Sequence, residues 1–292
     1  MYHTISNELF TVKIQHKGVE LASLKSKITG LEYMWNANPD IWGSHAPVLF
    51  PAIGSFKNGI CTINGINYKI PKHGFIRHNN QLQLIEENEH SLLFELNYSD
   101  ELLKIYPYKF RFLIRFELNQ NELIVSHTVE NLDDKDIYFA LGGHPAFKCP
   151  WNSNDSYENY YLEFEKTELA ERTLLSDAGL ISDKTELVLD NTNKLELSKD
   201  LFNQDALIFK NLKSKSVCLK NKNSRNYLKI SYYDFDYLGI WAKPNAEFVC
   251  IESWLGIADH ESTDGNFLKK DGIQKLGRAK EFIASYTITI KE

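Results

Sequence analysis

Alternation between apolar and polar residues runs through more of this chain than any other pattern, and it commits the backbone to extended strands. Phe112, Ile114, Phe116 and Leu118 share one face of a strand, with Arg115 and Glu117 on the other. Beyond the turn Asn119-Gln120-Asn121, Leu123, Val125, His127 and Val129 alternate with Ile124, Ser126, Thr128 and Glu130. A period of two puts every second side chain on one face, so the two runs read as a β-hairpin with one buried side. Leu92, Phe94 and Leu96 form another such run, and Leu228, Ile230 and Tyr232 a further one. Near the carboxyl end, Phe282, Ala284, Tyr286, Ile288 and Ile290 oppose Ser285, Thr287 and Thr289, which predicts a strong terminal strand.

Helical signals are short. Asp100 to Tyr106 reads as one or two turns stopped by Pro107, and Ser198 to Gln204 as another, capped by Ser198 or Asp200. The polar stretch Asn152 to Glu158 reads as a loop. With no strand–helix–strand rhythm, internal repeat or linker, residues 1–292 are expected to form one domain. Its predicted class is all-β, a large antiparallel β-sandwich with few short helices. The 17 Phe and 15 Tyr agree, because aromatic residues favour sheet and, where exposed, give platforms for the apolar faces of ligands.

Several function classes fall away. A formal net charge of −6 argues against a nucleic-acid partner, which calls for a concentrated basic patch. Cys61, Cys149, Cys218 and Cys250 are far apart without a CxxC pair, and read as reduced, mostly buried thiols of a cytoplasmic protein. The segment Met1 to Asn7 has neither a basic nor an apolar region of a secretory signal, and no run reaches the ~18 apolar residues that span a bilayer. A soluble cytosolic chain without a membrane partner is expected. GxGxxG, Walker A, GxSxG and HExxH are absent. Asp259-His260-Glu261 reads as a solvated loop, since three consecutive side chains do not converge easily on one ion. Neither a metal nor a cofactor is expected.

Two segments each set a single proton-transfer group among glycines, aromatics and apolar residues: Gly142-Gly143-His144-Pro145-Ala146-Phe147 and Cys250-Ile251-Glu252-Ser253-Trp254-Leu255-Gly256. Such surroundings move a pKa toward neutrality, where one group gives a proton while the other takes one. His144 reads equally as a hydrogen-bonded core histidine, and Glu252 as a buried carboxylate bonded to backbone donors. His73, in Pro71-Lys72-His73-Gly74-Phe75-Ile76-Arg77, suits a hydroxyl contact or a turn. Asp205, before the strand Ala206-Leu207-Ile208-Phe209, suits a grip on hydroxyls or a cap. Trp241 suits stacking on a pyranose face or core packing.

Taken in order, these segments resemble the aldose 1-epimerase (galactose mutarotase-like) family, in its LacX-type branch. The resemblance rests on Pro47-Val48-Leu49-Phe50-Pro51-Ala52-Ile53-Gly54, Lys72-His73-Gly74-Phe75-Ile76-Arg77 and Gly143-His144-Pro145-Ala146-Phe147. It continues through Asp205-Ala206-Leu207-Ile208-Phe209 and from Gly239-Ile240-Trp241 to Asp259. It implies a sugar cleft on a concave sheet face, with Glu252 as general base on the anomeric hydroxyl and His144 as general acid on the ring oxygen. His73 and Asp205 then bind hydroxyls. Where the family commonly has Arg, this chain has Ser55, followed by Phe56 and Lys57; Lys57 is then the replacement cation, or the contact is gone. The expected partner is a free aldohexose, and the expected assembly a monomer or homodimer. Rival readings are a hexose-6-phosphate 1-epimerase using Lys72 and Arg77, a glycosidase pairing Glu252 with Asp205, and a non-catalytic sugar binder on the same fold.

Overall fold

The chain is described by a computed structural model covering residues 1–292. The hairpin pairs Phe110–Asn119 with Glu122–Asn131, Asn119 opposite Glu122, so the loop is Gln120-Asn121. Gln120 takes a left-handed φ of 51°, a conformation that tight hairpin loops demand. All eight apolar-face positions, from Phe112 to Leu118 and Leu123 to Val129, are buried. Glu281–Lys291 adds to the far edge of Glu122–Asn131 and buries Ala284, Tyr286, Ile288 and Ile290, with Phe282 half-buried at its start.

These strands belong to a fifteen-stranded sheet whose ladders are all antiparallel. From one edge the order is Val48–Leu49, Leu141–Gly143, Phe248–Leu255, Tyr237–Trp241, Leu207–Lys210 and Tyr160–Leu175. It continues through Ser216–Asn221, Tyr227–Ser231, Glu281–Lys291 and the hairpin to Ser91–Asn97 and Gln83–Glu87. Leu141–Gly143 and Glu281–Lys291 are seven places apart, which in a flat sheet is roughly 34 Å. Yet a Cβ on Gly143 would stand 2.6 Å from Cε1 of Tyr286. The sheet therefore folds over on itself, and a core of 73 buried residues fills the space between its faces. Gly143 is required because the Tyr286 ring already occupies the place of its side chain. A separate cluster of nine buried residues, including Ile53, Ile208 and Trp254, lies on the other side of the same strands.

A three-stranded sheet, Tyr2–Ser6, Phe10–Gln15 and Glu20–Ser26, precedes this body. Asp100–Leu103 is a short α-helix whose Ser99 Oγ accepts from the Leu102 amide at 3.3 Å. The turn expected from Ser198 to Gln204 is not a helix. Leu201, Asn203 and Asp205 amides donate to Ser198, Asp200 and Phe202 carbonyls, separate turns each closing over three residues. No helix is long and apolar enough to cross a membrane.

His127 is an exception among the apolar positions of the hairpin. It is fully buried, neither ring nitrogen makes a hydrogen bond, and burial lowers its pKa to about 4. Its register partner Ala284 favours the charged form slightly through its backbone, but is not aligned for a hydrogen bond. The unfolded chain takes up this proton near pH 6.5 and the folded chain only near 4. Stability is therefore complete above the higher value and falls as pH drops through that window, by about 3 kcal/mol. Urea unfolding of wild type and His127→Gln at pH 7.5 and 4.5 isolates the effect. The stability difference between them is expected to shift by roughly 2–3 kcal/mol in favour of the variant at low pH. Parallel pH dependence in both proteins refutes it.

Candidate active site

One strand, Phe248–Leu255, organises the site, and every residue in it is buried. On one edge it pairs with two short strands in succession. Gly142 and Gly143 face Trp254 and Ser253, while Ala146 faces Cys250. The gap between the two short strands is His144-Pro145, opposite Ile251 and Glu252. The His144 amide donates to the Pro47 carbonyl at 3.0 Å and the Ile251 amide to the Pro145 carbonyl at 3.3 Å, which ties the interruption down on both sides. His144 Nε2 comes to 3.1 Å from Glu252 Oε2, though not aligned for a hydrogen bond. On the other edge, Gly239 pairs with Glu252. A Cβ there would stand 2.5 Å from the Trp254 ring, so glycine lets the indole lie flat across the floor.

Neither charge is welcome at this depth. Burial pushes the Glu252 carboxyl well above its usual range, with Asp205 adding to the effect and Lys72, Trp254 and Arg77 opposing it. Burial likewise lowers His144 to about 3, helped by Arg77 and Lys72. The pair thus holds one proton between two neutral groups. Beside it, His73 sits at a left-handed φ of 64°. Its Nδ1 accepts from the Gly54 amide at 3.2 Å, and burial, then His144, keep the ring neutral. A neutral imidazole with Nδ1 accepting carries its hydrogen on Nε2, leaving a preset donor.

The cleft encloses about 260 Å³ and is lined by His144, Glu252, His73, Asp205, Trp241 and Arg77. Asp205 has a left-handed φ of 67° and its Oδ1 accepts from the Ala206 amide at 2.8 Å, so it also caps its strand. Lys57 is not there. Its ammonium donates to the Glu261 carbonyl at 2.5 Å and its amide to Asp259 Oδ2 at 3.0 Å, which turns it away from the cleft. Ser55 borders an adjoining hollow instead. Asp259 is not solvated as expected. It is 5 % exposed and paired with buried Lys270 at 2.8 Å, while Glu261 lies at the surface.

Trp42 is a lining residue that sequence reasoning missed. It stacks on His144 at 5.2 Å and 25°, and meets Trp241 edge-on at 5.6 Å, so the two indoles wall the acid–base pair. Its only local signal is an aromatic residue in an irregular segment. The Cys250 sulfur lies within 4.8 Å of the ligating atoms of His144 and Glu252. Burial, then the neighbouring Glu252 side chain, raise the pKa of that thiol and hold it protonated, so it packs as a small apolar group. Another hollow, about 250 Å³ between Pro150 and Glu247, contains none of these residues.

Arg77 Nε, His144 Nδ1, Glu252 Oε2 and Trp254 Nε1 are buried without a hydrogen-bond partner, and all four belong to residues of this cleft. Buried polar atoms are normally satisfied, so four unpartnered ones gathered at one place suit a polar ligand. The cleft sets Lys72 and Arg77 against Asp205, with the His144–Glu252 pair neutral overall. Donors, acceptors, aromatic walls and a one-proton pair together suit proton transfer on a polyhydroxylated ring.

The chain is 34 % identical over 297 residues to Protein LacX of Lactococcus lactis subsp. lactis, covering 98 % of each. Among solved structures it is similar to a galactose mutarotase related enzyme from Lactobacillus acidophilus, at 35 % identity and a TM-score of 0.94, covering 100 % of this chain and 98 % of that one. A galactose mutarotase-like protein from Lactobacillus casei matches at 26 % identity and a TM-score of 0.91, with both chains covered completely. Residues 1–270 match the aldose 1-epimerase family, and the chain belongs to that family.

Proposed function

We propose that this protein is a mutarotase, interconverting the α and β anomers of a free, neutral aldohexose by acid–base ring opening, with His144 and Glu252 moving the protons. The observation that carries this reading is their 3.1 Å approach in a buried cleft, each keeping one polar atom without a partner. Opening a hemiacetal removes the proton from the anomeric hydroxyl and delivers one to the ring oxygen as the C1–O5 bond breaks. After rotation about C1–C2, the ring oxygen attacks the other face of the carbonyl and the protons return. The net proton count is zero, so a pair holding a single proton suffices.

Hydroxyl contacts with a bound sugar offset the burial that keeps both groups neutral. The shared proton then passes to His144, and Glu252 faces the anomeric hydroxyl as carboxylate while the imidazolium faces the ring oxygen. His73 donates from Nε2 to a neighbouring oxygen, Asp205 accepts from hydroxyls, and Trp42 and Trp241 cover the pyranose faces. The net charge of −6 on the whole chain disfavours an anionic ligand at long range, which favours a neutral ring over its phosphate.

Glu252→Gln and His144→Asn are each expected to slow mutarotation of freshly dissolved α-D-galactose or α-D-glucose by at least ~10², measured by polarimetry. The double variant is expected to lose little more than either single one, because the two groups act as a unit. A folded variant of either kind, checked by circular dichroism, that turns over at near wild-type rate defeats the assignment.

The pH profile gives an independent check. With His144 lowered to about 3 and Glu252 raised, the one-proton state of the free enzyme begins near pH 3 and extends above the usual carboxyl range. The expected kcat/KM profile carries no His144 inflection at the ordinary histidine value of 6.5. A clear inflection there, absent from His144→Asn, contradicts the shared-proton description.

A further inference from the structure

We propose that the acid–base pair doubles as an inhibitory metal site, in which Cys250 Sγ, His144 Nε2 and a Glu252 oxygen hold a thiophilic divalent cation of the zinc type. That the bound cation inhibits rests on the mutarotase reading above; that it binds does not. Cys250 and Glu252 stand two positions apart on Phe248–Leu255, so the pleat points both side chains to one face. His144 reaches the same place from the gap between Leu141–Gly143 and Ala146–Lys148. The ligating atoms of the three all lie within 4.8 Å of one another, and all three residues are buried. The imidazole-to-carboxylate edge measures 3.1 Å. Zinc bonds to nitrogen and oxygen of ~2.0–2.1 Å set the corners of a tetrahedron roughly 3.3 Å apart, so that edge has to open by only about 0.2 Å. His144 and Glu252 also line the cleft, from which a water completes the fourth corner, the arrangement of an open zinc site.

The donor set selects the cation. Thiolate and imidazole suit zinc and its neighbours, whereas magnesium and calcium demand oxygen ligands. Charge points the same way. Lys72 and Arg77 line the cleft and oppose an added positive charge, but a thiolate and a carboxylate cancel the two charges of the ion and leave the loaded site neutral. In the metal-free protein the fully buried Cys250 thiol is an apolar filler. A dication reverses that preference, because a coordinating thiol gives up its proton outright. Binding therefore releases the thiol proton together with the one held by the His144–Glu252 pair.

The same atoms cannot serve two purposes. A Glu252 oxygen bonded to the cation no longer faces the anomeric hydroxyl as a base, and a metallated His144 Nε2 carries no proton for the ring oxygen. The loaded protein thus lacks both proton carriers at once, and cation and sugar exclude each other. Cys250 takes no part in the proton transfers, so it separates metal binding from turnover.

Spectroscopy and kinetics test the two halves separately. Co²⁺ added to the metal-free protein is expected to give the near-ultraviolet absorption of a thiolate–cobalt bond, which Zn²⁺ removes by replacement. Cys250→Ala, or Cys250→Ser where the smaller side chain costs the fold, is expected to lose that band although Cys61, Cys149 and Cys218 remain. In polarimetry, Zn²⁺ is expected to slow mutarotation of α-D-glucose, a chelator to restore the rate, and Mg²⁺ to have no effect. The Cys250 variant is expected to keep the metal-free rate and to need at least ~10-fold more Zn²⁺ for half-inhibition, a loss that even a hydrogen-bond partner of a metal ligand can carry. The site is overturned if the band is missing from wild type or is kept by the Cys250 variant. Its inhibitory role is overturned by full turnover with the cation bound, or by turnover that a chelator abolishes. Should the metal-free protein turn over no sugar, the mutarotase reading fails and the inhibitory role with it, while the cobalt band still decides whether the three side chains form a site.

Discussion

The arrangement depends on one unfavourable act, the burial of the Glu252 carboxyl on a strand that has no exposed residue. A carboxylate removed from water is expensive unless neutralised or met by donors. Here it is met by an imidazole equally reluctant to charge, so each group makes the other's neutrality useful. The surroundings maintain that state. Phe248–Leu255 is clasped by Leu141–Gly143 and Ala146–Lys148 on one side and Tyr237–Trp241 on the other, while Trp42 shields the imidazole. A more open or better hydrated strand would let both groups take their ordinary values and remove the shared proton.

A second buried pair holds the rim. Asp259 and Lys270 are almost completely enclosed, and the other Asp259 oxygen accepts the Lys57 amide. The Ser55 carbonyl accepts from the Asp259 amide at 2.9 Å, so the segment after Gly54 is fastened to the segment after Leu255. Since Gly54 is the donor to His73, the orientation of that imidazole depends on an ion pair outside the cleft. Removing one partner of such a pair costs far more than the pair contributes, because a bare charge stays buried.

Much of this was legible in the residues themselves. Strict alternation revealed the hairpin from Phe110 to Asn131 and the terminal strand, because both bury one face continuously. It did not reveal the long pair Tyr160–Leu175 and Ile181–Glu196, whose register shifts four times and breaks the period. The turns after Ser198 carry in Ser198 and Asp200 the residues of a helix cap, and only their hydrogen bonds distinguish them from a helix. Six of the seven residues singled out for the site converge. Lys57 does not, because its ammonium is captured by the Glu261 carbonyl, three residues beyond the Ala258 that packs against Gly54. Asp259 was misread because its neighbours are polar, while the lysine that neutralises it is adjacent only in the fold. The order of fifteen strands lies beyond local patterning altogether.

That strand order also determines when the cleft comes into being. Val48, Gly143, Ile208, Gly239 and Glu252 lie on successive neighbouring strands, yet come from widely spaced parts of the chain. Tyr286, which packs against Gly143, is made almost last. Pairings of this kind close long loops before they gain anything in return, so they form slowly and late. The amino-terminal sheet and the Phe110–Asn131 hairpin are assembled from sequence neighbours and have no such delay. On a ribosome, the chain therefore carries His144 for the synthesis of more than a third of its length before Glu252 exists to meet it. The cleft is a product of completed folding, and no early fragment of the chain contains it.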